Sequence, residues 1–120
     1  MNNETSRHFA SQWIECWNRH DLESILSHYE EELEFYSPFI RMLNFNDSGV
    51  ITKKAELRSY FEIGLKSYPE LYFVFHSYFT GINTVVIYYT SVNGRKAAEV
   101  FELNEDGKAV KVYCNYTEII

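Results

Sequence analysis

The chain is poor in cysteine, holds no concentrated positive charge and has no long apolar run, and each shortage removes a class of function. Its two cysteines, Cys16 and Cys114, form no metal-binding or redox motif, so both are expected to be buried free thiols. The four histidines, His8, His20, His28 and His76, show neither a His-x-x-x-His spacing nor a paired glutamate, so no metal and no cofactor are expected. Eleven Lys and Arg stand against 17 Asp and Glu for a formal charge of -6, and the basic residues are scattered, which argues against nucleic acid as a partner. No stretch approaches the roughly 18 apolar residues that a membrane span needs, and the first eight residues contain no apolar leader core. A cytoplasmic location off the membrane is therefore expected. Internal repeats, low-complexity tracts and linkers are also missing. The 120 residues read as one domain, 1–120, long enough to bury roughly two-thirds of the unfolded surface without a staple.

What the chain does have is aromatic residues, 18% of the total, with ten Tyr and nine Phe. So many in so short a chain imply an aromatic-lined interior, a second buried surface, or both. Phe9, Trp13 and Trp17 recur every four residues, with Ala10 and Ile14 beside them, which makes a core-facing helical stripe. Asn18-Arg19-His20-Asp21 interrupts it. Asp21 can cap a second helix in which Leu22, Ile25, Leu26 and Tyr29 follow helical spacing. Leu33, Phe35 and Ser37 then alternate with Glu34 and Tyr36, the period of a strand that Pro38 ends, and Glu30-Glu31-Glu32 reads as a solvated turn before it. The segment 39–50 has neither period and reads as a long loop or rim, on which Arg41 is a possible contact for an anionic ligand. Thr52 can cap a third helix carrying Leu57, Tyr60, Phe61, Gly64, Leu65 and Tyr68, stopped by Pro69. From Leu71 onward four β-branched and aromatic runs, separated by turn residues, predict four consecutive antiparallel strands.

The turns suggest a register. Read as a two-residue hairpin loop, Asn93-Gly94 pairs Val92 with Arg95. Tyr88 then lies opposite Glu99, Val86 opposite Phe101 and Thr90 opposite Ala97 on one face, with Ile87 and Val100, and Tyr89 and Ala98, on the other. A four-residue loop at Asn104–Gly107 sets Val112 beside Glu99, Val110 beside Phe101 and Cys114 beside Ala97. Glu99 is thus expected among apolar neighbours, which would raise its pKa and make it a candidate acid or base. It could equally be a core carboxyl satisfied by Tyr88 or by the indole of Trp13. Both sheet faces are apolar, and three helices cover only one of them. The other, carrying Ile87, Tyr89, Ala98, Val100 and Tyr113, is expected to meet a second copy of the chain in a homodimer.

In detail the chain resembles the SnoaL-like members of the nuclear transport factor 2-like superfamily. The resemblance rests on Trp17-Asn18-x-x-Asp21-Leu22, Tyr36-Ser37-Pro38, Ala55-x-Leu57-Arg58-x-Tyr60-Phe61 and the run Glu99-Val100-Phe101-Glu102-Leu103-Asn104-x-Asp106-Gly107-Lys108. It implies a cone-shaped α+β fold, with three helices on the concave face of a curved, mostly antiparallel sheet. The superfamily includes isomerases, cyclases, epoxide hydrolases, dehydratases and transport factors, so fold alone does not settle function. In its ketosteroid isomerase branch a carboxylate before the proline shuttles the proton, while a tyrosine and a protonated aspartate hold the oxyanion. The matching positions here are Ser37, Trp13 and Glu99, of which Glu99 alone is an acid, so the usual isomerase reaction is not expected. The cyclase branch relies on one pocket acid.

Three readings follow. The first is a protein that binds a small, mostly apolar molecule, planar or terpenoid-like, in the cone, with catalysis open. Its expected lining is Trp13, Trp17, Tyr29, Phe35, Ser37, Tyr60, Tyr88, Phe101, Val112 and Tyr116, with Phe75 as a further aromatic of the same set. The second is a non-catalytic association domain whose cone is filled by its own side chains. The third is an isomerase- or cyclase-type enzyme using Glu99 as acid and base.

Overall fold

A computed structural model describes residues 2–118. The stripe of Phe9, Trp13 and Trp17 forms α1 (Asn3–Asn18), started by Asn2, whose side chain accepts from the Thr5 amide. Asp21 caps α2 (Leu22–Leu26) by accepting from the Ser24 amide at 3.2 Å and from its hydroxyl at 2.8 Å. The strand β1 (Tyr29–Tyr36) follows. Tyr29 therefore opens a strand instead of closing a helix, and Glu30-Glu31-Glu32 lies within that strand. The helix is cut short because the amide of Ser27 closes on Glu23 and that of His28 on Ile25, after which the chain is drawn straight into the sheet, the Ala109 amide donating to the His28 carbonyl.

Ser37 caps a short helix α3 (Pro38–Met42), accepting from the Phe39 amide, with Pro38 at its first turn, where no amide hydrogen is needed. A strand β2 (Val50–Lys53) then pairs antiparallel with β1. The segment 39–50 is thus partly ordered, and Thr52 sits in β2; α4 (Lys54–Ser67) begins after Lys53 with no side-chain cap. The remaining chain is β3 (Val74–Thr80), β4 (Thr84–Thr90), β5 (Lys96–Leu103) and β6 (Ala109–Tyr116). The six strands form one sheet in the order β2-β1-β6-β5-β4-β3, antiparallel throughout except where β1 runs parallel to β6. Bulges at 32–35, 75–77 and 102–103 help the sheet curl around α1 and α4. Among the described residues no helix is long and apolar enough to cross a membrane.

Two registers differ from the expectation. Asn93 and Gly94 both have positive φ (59° and 72°), as a tight hairpin needs, but they belong to a wider turn, Val92–Gly94, closed by the Ser91 amide on the Arg95 carbonyl. The pairing becomes Ile87 with Glu99, Tyr89 with Ala97 and Val85 with Phe101. A slip of one residue exchanges the faces of β4. Ile87 and Tyr89 therefore face inward and are buried, while Val86 and Tyr88 face outward with Ala98, Val100 and Tyr113. Between β5 and β6 the slip is two residues, which keeps the faces but sets Cys114 opposite Glu99 and Val112 opposite Phe101.

Candidate functional site

Strand β5 runs through the middle of the curl, and its inward residues Ala97, Glu99, Phe101 and Leu103 are all buried. The alternation that buries Phe101 also buries Glu99, which is 3% exposed. Its carboxylate accepts a hydrogen bond from the Tyr89 hydroxyl at 2.7 Å, and the Cys114 thiol leans on it from β6. Loss of water pushes its pKa from 4.5 up to about 7, against the downward pull of those two donors. The same burial, together with the nearby Glu99 charge, drives the Tyr89 hydroxyl and the Cys114 thiol well above their ordinary values. Glu99 is thus the group in this cluster that changes protonation near neutral pH.

Glu99 lies at the wall of a cavity of about 80 Å³. Helix α1 supplies Trp13 and Trp17, β1 supplies Phe35, and α4 supplies Tyr60, Phe61 and Gly64. Phe73 packs over Trp13, nearly parallel at 5.7 Å, and against Tyr89 at 4.7 Å, so it forms the roof above the carboxyl. Its position comes from the interruption in the first helical stripe. Asn18 donates to the Phe73 carbonyl at 2.9 Å and accepts from its amide at 2.6 Å, and the His20 ring reaches the Leu71 carbonyl at 2.8 Å. The mouth is bordered by half-buried Phe39, Leu43, Tyr68 and Val92. Phe39 packs edge-on against Tyr116 at 4.6 Å, and the Arg95 guanidinium covers its ring at 5.4 Å.

Several expected lining residues reach this space and others do not. Trp13, Trp17, Phe35, Tyr60 and Tyr116 border it together with Glu99. Phe101 and Val112 are fully buried core behind it, and Tyr29 is held in the core as the acceptor of the Trp13 indole N–H at 2.9 Å. Ser37 is occupied as the α3 cap; it lies near Tyr60, Tyr116 and Cys114, without bordering the cavity. Tyr88 is on the far face, where it meets the His76 ring at 5.0 Å. Phe75 is an exposed residue of β3, and Arg41 lies along Gly49 and does not border the cavity. The lining residues that the sequence did not assign to the site are chiefly Tyr89, expected on the outer face, Cys114, expected only as a buried thiol, and Phe73. A one-residue change of register would have revealed Tyr89, whereas nothing local in the sequence points to Phe73.

Behind the cavity wall, among the described residues, one polar atom of a lining side chain is unsatisfied. The Trp17 indole N–H is buried and makes no hydrogen bond; it lies near the Tyr29 hydroxyl, without the geometry of a bond, and that hydroxyl already accepts from Trp13. An ionisable carboxyl and a surround of aromatic rings can hold a small apolar group that carries one polar atom. No group of three or more His, Cys, Asp or Glu able to hold a metal exists among the described residues.

The comparisons with known proteins bear on the family and the fold. No curated protein matches the chain. Its structure is similar to that of a SnoaL-like protein of unknown function from Burkholderia thailandensis, at 34% identity over 97% of both chains and a TM-score of 0.92. The epoxide hydrolase/cyclase-like enzyme SalBIII, of pyran ring formation in the polyether salinomycin, shares the fold at 16% identity, covering 98% of this chain and 94% of its own, with a TM-score of 0.75. An NTF2-like protein of unknown function from Cytophaga hutchinsonii does so at 17% identity, 92% and 88% coverage and a TM-score of 0.68. The sequence model of the SnoaL-like domain matches residues 10–112, and with that match, the 34% identity and the shared cone the chain belongs to the SnoaL-like family.

Proposed function

We propose that the cone binds the small, mostly apolar end of an organic molecule and that Glu99 handles its polar atom, as hydrogen-bond partner and, where the ligand reacts, as the acid or base. The observation that carries this reading is a buried carboxyl at the wall of an apolar cavity, with a pKa pushed up to about 7. A general acid or base works best when its pKa lies near the operating pH. With Ser37 committed to capping α3, the position before Pro38 supplies no second carboxylate, so the chemistry proposed is that of a single acid. A cavity of about 80 Å³ holds only the volume of a few waters, so a branched chain end or the edge of one small ring enters it, with the rest at the open mouth, and a fused polycycle stays outside.

Phenol, one ring with one hydroxyl, is a suitable probe. On titration by NMR it should shift the side-chain signals of Trp13, Tyr89 and Phe73, and the affinity should change with pH around 7 in the native protein and lose that dependence in Glu99→Gln. Phenol that leaves those signals untouched at millimolar concentration would favour the rival reading, a cone filled by its own side chains.

The outer face supports a second proposal, a homodimer. Tyr36, Tyr113, Val100, Val86 and Phe79 follow one another across β1, β6, β5, β4 and β3 as a continuous row, with Tyr36 and Tyr113 stacked at 4.8 Å. A mostly apolar row across a sheet face that no helix covers among the described residues favours a second copy as its cover.

A further inference from the structure

The cavity does not end at its mouth. Tyr68, Leu71, Ser91 and Val92 border it and also border a wider recess of about 360 Å³ outside. The two spaces are therefore adjoining compartments with common walls. Both lips between them are held by hydrogen bonds. On one side the Leu71 amide closes on Tyr68, and the Leu71 carbonyl meets the ring of His20; on the other, Ser91 and Arg95 close the β4–β5 turn. A preformed threshold of this kind is what a ligand site requires.

The compartments differ in chemistry. The inner one is aromatic around a single carboxyl, whereas the outer one adds Ser67, Glu70 and Asn93. Among the described residues no Lys or Arg borders the outer recess. Lys66, in the last turn of α4, is exposed and not part of its wall, and Arg95 is engaged with the Phe39 ring and the Glu118 carbonyl. The wall does include Ser67 and Tyr68, at the C-terminal end of the 14-residue helix α4, where the backbone dipole is negative. The Ser67 hydroxyl and the Asn93 amide both accept and donate, so the sign of the recess is set by the Glu70 carboxylate and the negative helix end, which favour cationic or hydrogen-bond-donating groups and repel anions.

We propose that the natural ligand is a two-part molecule: a small apolar head seated in the cone, and a chain bearing amine or hydroxyl donors lying in the outer recess against Glu70, Asn93 and the end of α4. This rests on the reading of the cone as a binding site and extends it to the class of ligand. The inner volume is too small for a whole polycyclic or extended molecule, so whatever enters leaves its remainder at this threshold.

Three probes with the same ring separate the contributions: phenol with no chain, tyramine with a short ammonium chain, and 4-hydroxyphenylacetate with a short carboxylate chain. Dissociation constants by NMR titration should show tyramine binding about tenfold more tightly than phenol, as a charge-assisted hydrogen bond would give, and 4-hydroxyphenylacetate more weakly than phenol. In Glu70→Lys, with folding verified by its spectrum, the ratio of tyramine to phenol affinity should fall towards one and the carboxylate probe should gain. Equal affinity for phenol and tyramine in the native protein overturns the proposal and leaves the cone reading standing. So does a tyramine preference that survives Glu70→Lys but disappears in Glu99→Gln, because the amine would then be inside the cone. If none of the three probes perturbs Trp13, Tyr89 or Phe73, the cone reading fails and the two-part ligand fails with it.

Discussion

A carboxylic acid kept from water binds its proton more tightly than it does in the unfolded chain, and Glu99 shows what that does to stability. Its pKa rises from 4.5 to about 7 on folding, so between those values the native state holds a proton that the unfolded state has lost. The contribution is fully present below pH 4.5, declines as pH rises through about 7, and is gone above it; the difference is on the order of 3 kcal/mol. Glu99→Gln, which cannot ionise, should match the native protein at pH 4.5 and exceed it by roughly that amount at pH 8 in denaturant unfolding. Parallel profiles over this range would show that Glu99 does not titrate there. A second comparison isolates one hydrogen bond. Trp13→Phe and Trp17→Phe delete the same atoms from neighbouring turns of α1, but only Trp13 has a partner, the Tyr29 hydroxyl at 2.9 Å. Trp13→Phe should therefore cost about 1–2 kcal/mol more than Trp17→Phe, and equal losses would show that the Trp13 bond contributes nothing net.

At the level of elements, a break in a pattern positions the roof of the site. Asn18 ends the first helix by holding both the amide and the carbonyl of Phe73, 55 residues away, and Phe73 lies over Tyr89 and Trp13. Asn18→Ala should lower stability by about 2 kcal/mol, two modest hydrogen bonds, and should speed hydrogen exchange at the Phe73 amide more than at the amides of β5; uniform acceleration would place its effect in the whole fold. This contact also shows where the sequence stops being informative. Periodicity places α1, α4 and the four long strands, because burial of one face imposes a period that residues of the strand or helix must obey. Tyr29 fits helical spacing after Leu22, Ile25 and Leu26, yet it is a strand residue, since pairing with β6 overrides a period of only one turn. Asn93-Gly94 has the dihedral angles of a tight hairpin, yet the turn closes one step further out, and that single residue moves Tyr88 out of the cone and Tyr89 into it. Glu99 was legible because its neighbours on β5 alternate cleanly; the neighbours it meets across strands were not, because they depend on how the turns close.

At the scale of the whole molecule, the sheet divides the protein into a filled side and an uncovered one. The helices, Glu99 and the cavity are on the concave side; the row from Tyr36 through Tyr113, Val100 and Val86 to Phe79 is on the convex side, and Tyr113 and Phe79 are 42% and 56% exposed. Charged and polar residues flank it: Glu34, Lys111 and Glu102 along one side, Asn115 along the other. An apolar centre with a polar rim is the usual composition of a self-complementary interface, and a stable one needs about 600–1,000 Å² from each partner. There is also a competing site for self-association, the edge strand β3, with Val74, Phe75 and Phe79 exposed and its outer hydrogen-bonding groups unpaired by the sheet. A lysine at the centre of the convex row separates the two. Val100 is central in that row and two strands away from the β3 edge. Light scattering of the native protein at micromolar concentration should give about twice the chain mass of 14.3 kDa, and Val100→Lys should give a single chain, because two copies would have to strip water from like-charged ammonium groups at the centre of the interface. A native protein of single-chain mass would remove the dimer altogether, whereas a Val100→Lys variant still of double mass would move the association to β3. Because the cone lies on the opposite face of the sheet, the single-chain variant should retain phenol binding within about twofold.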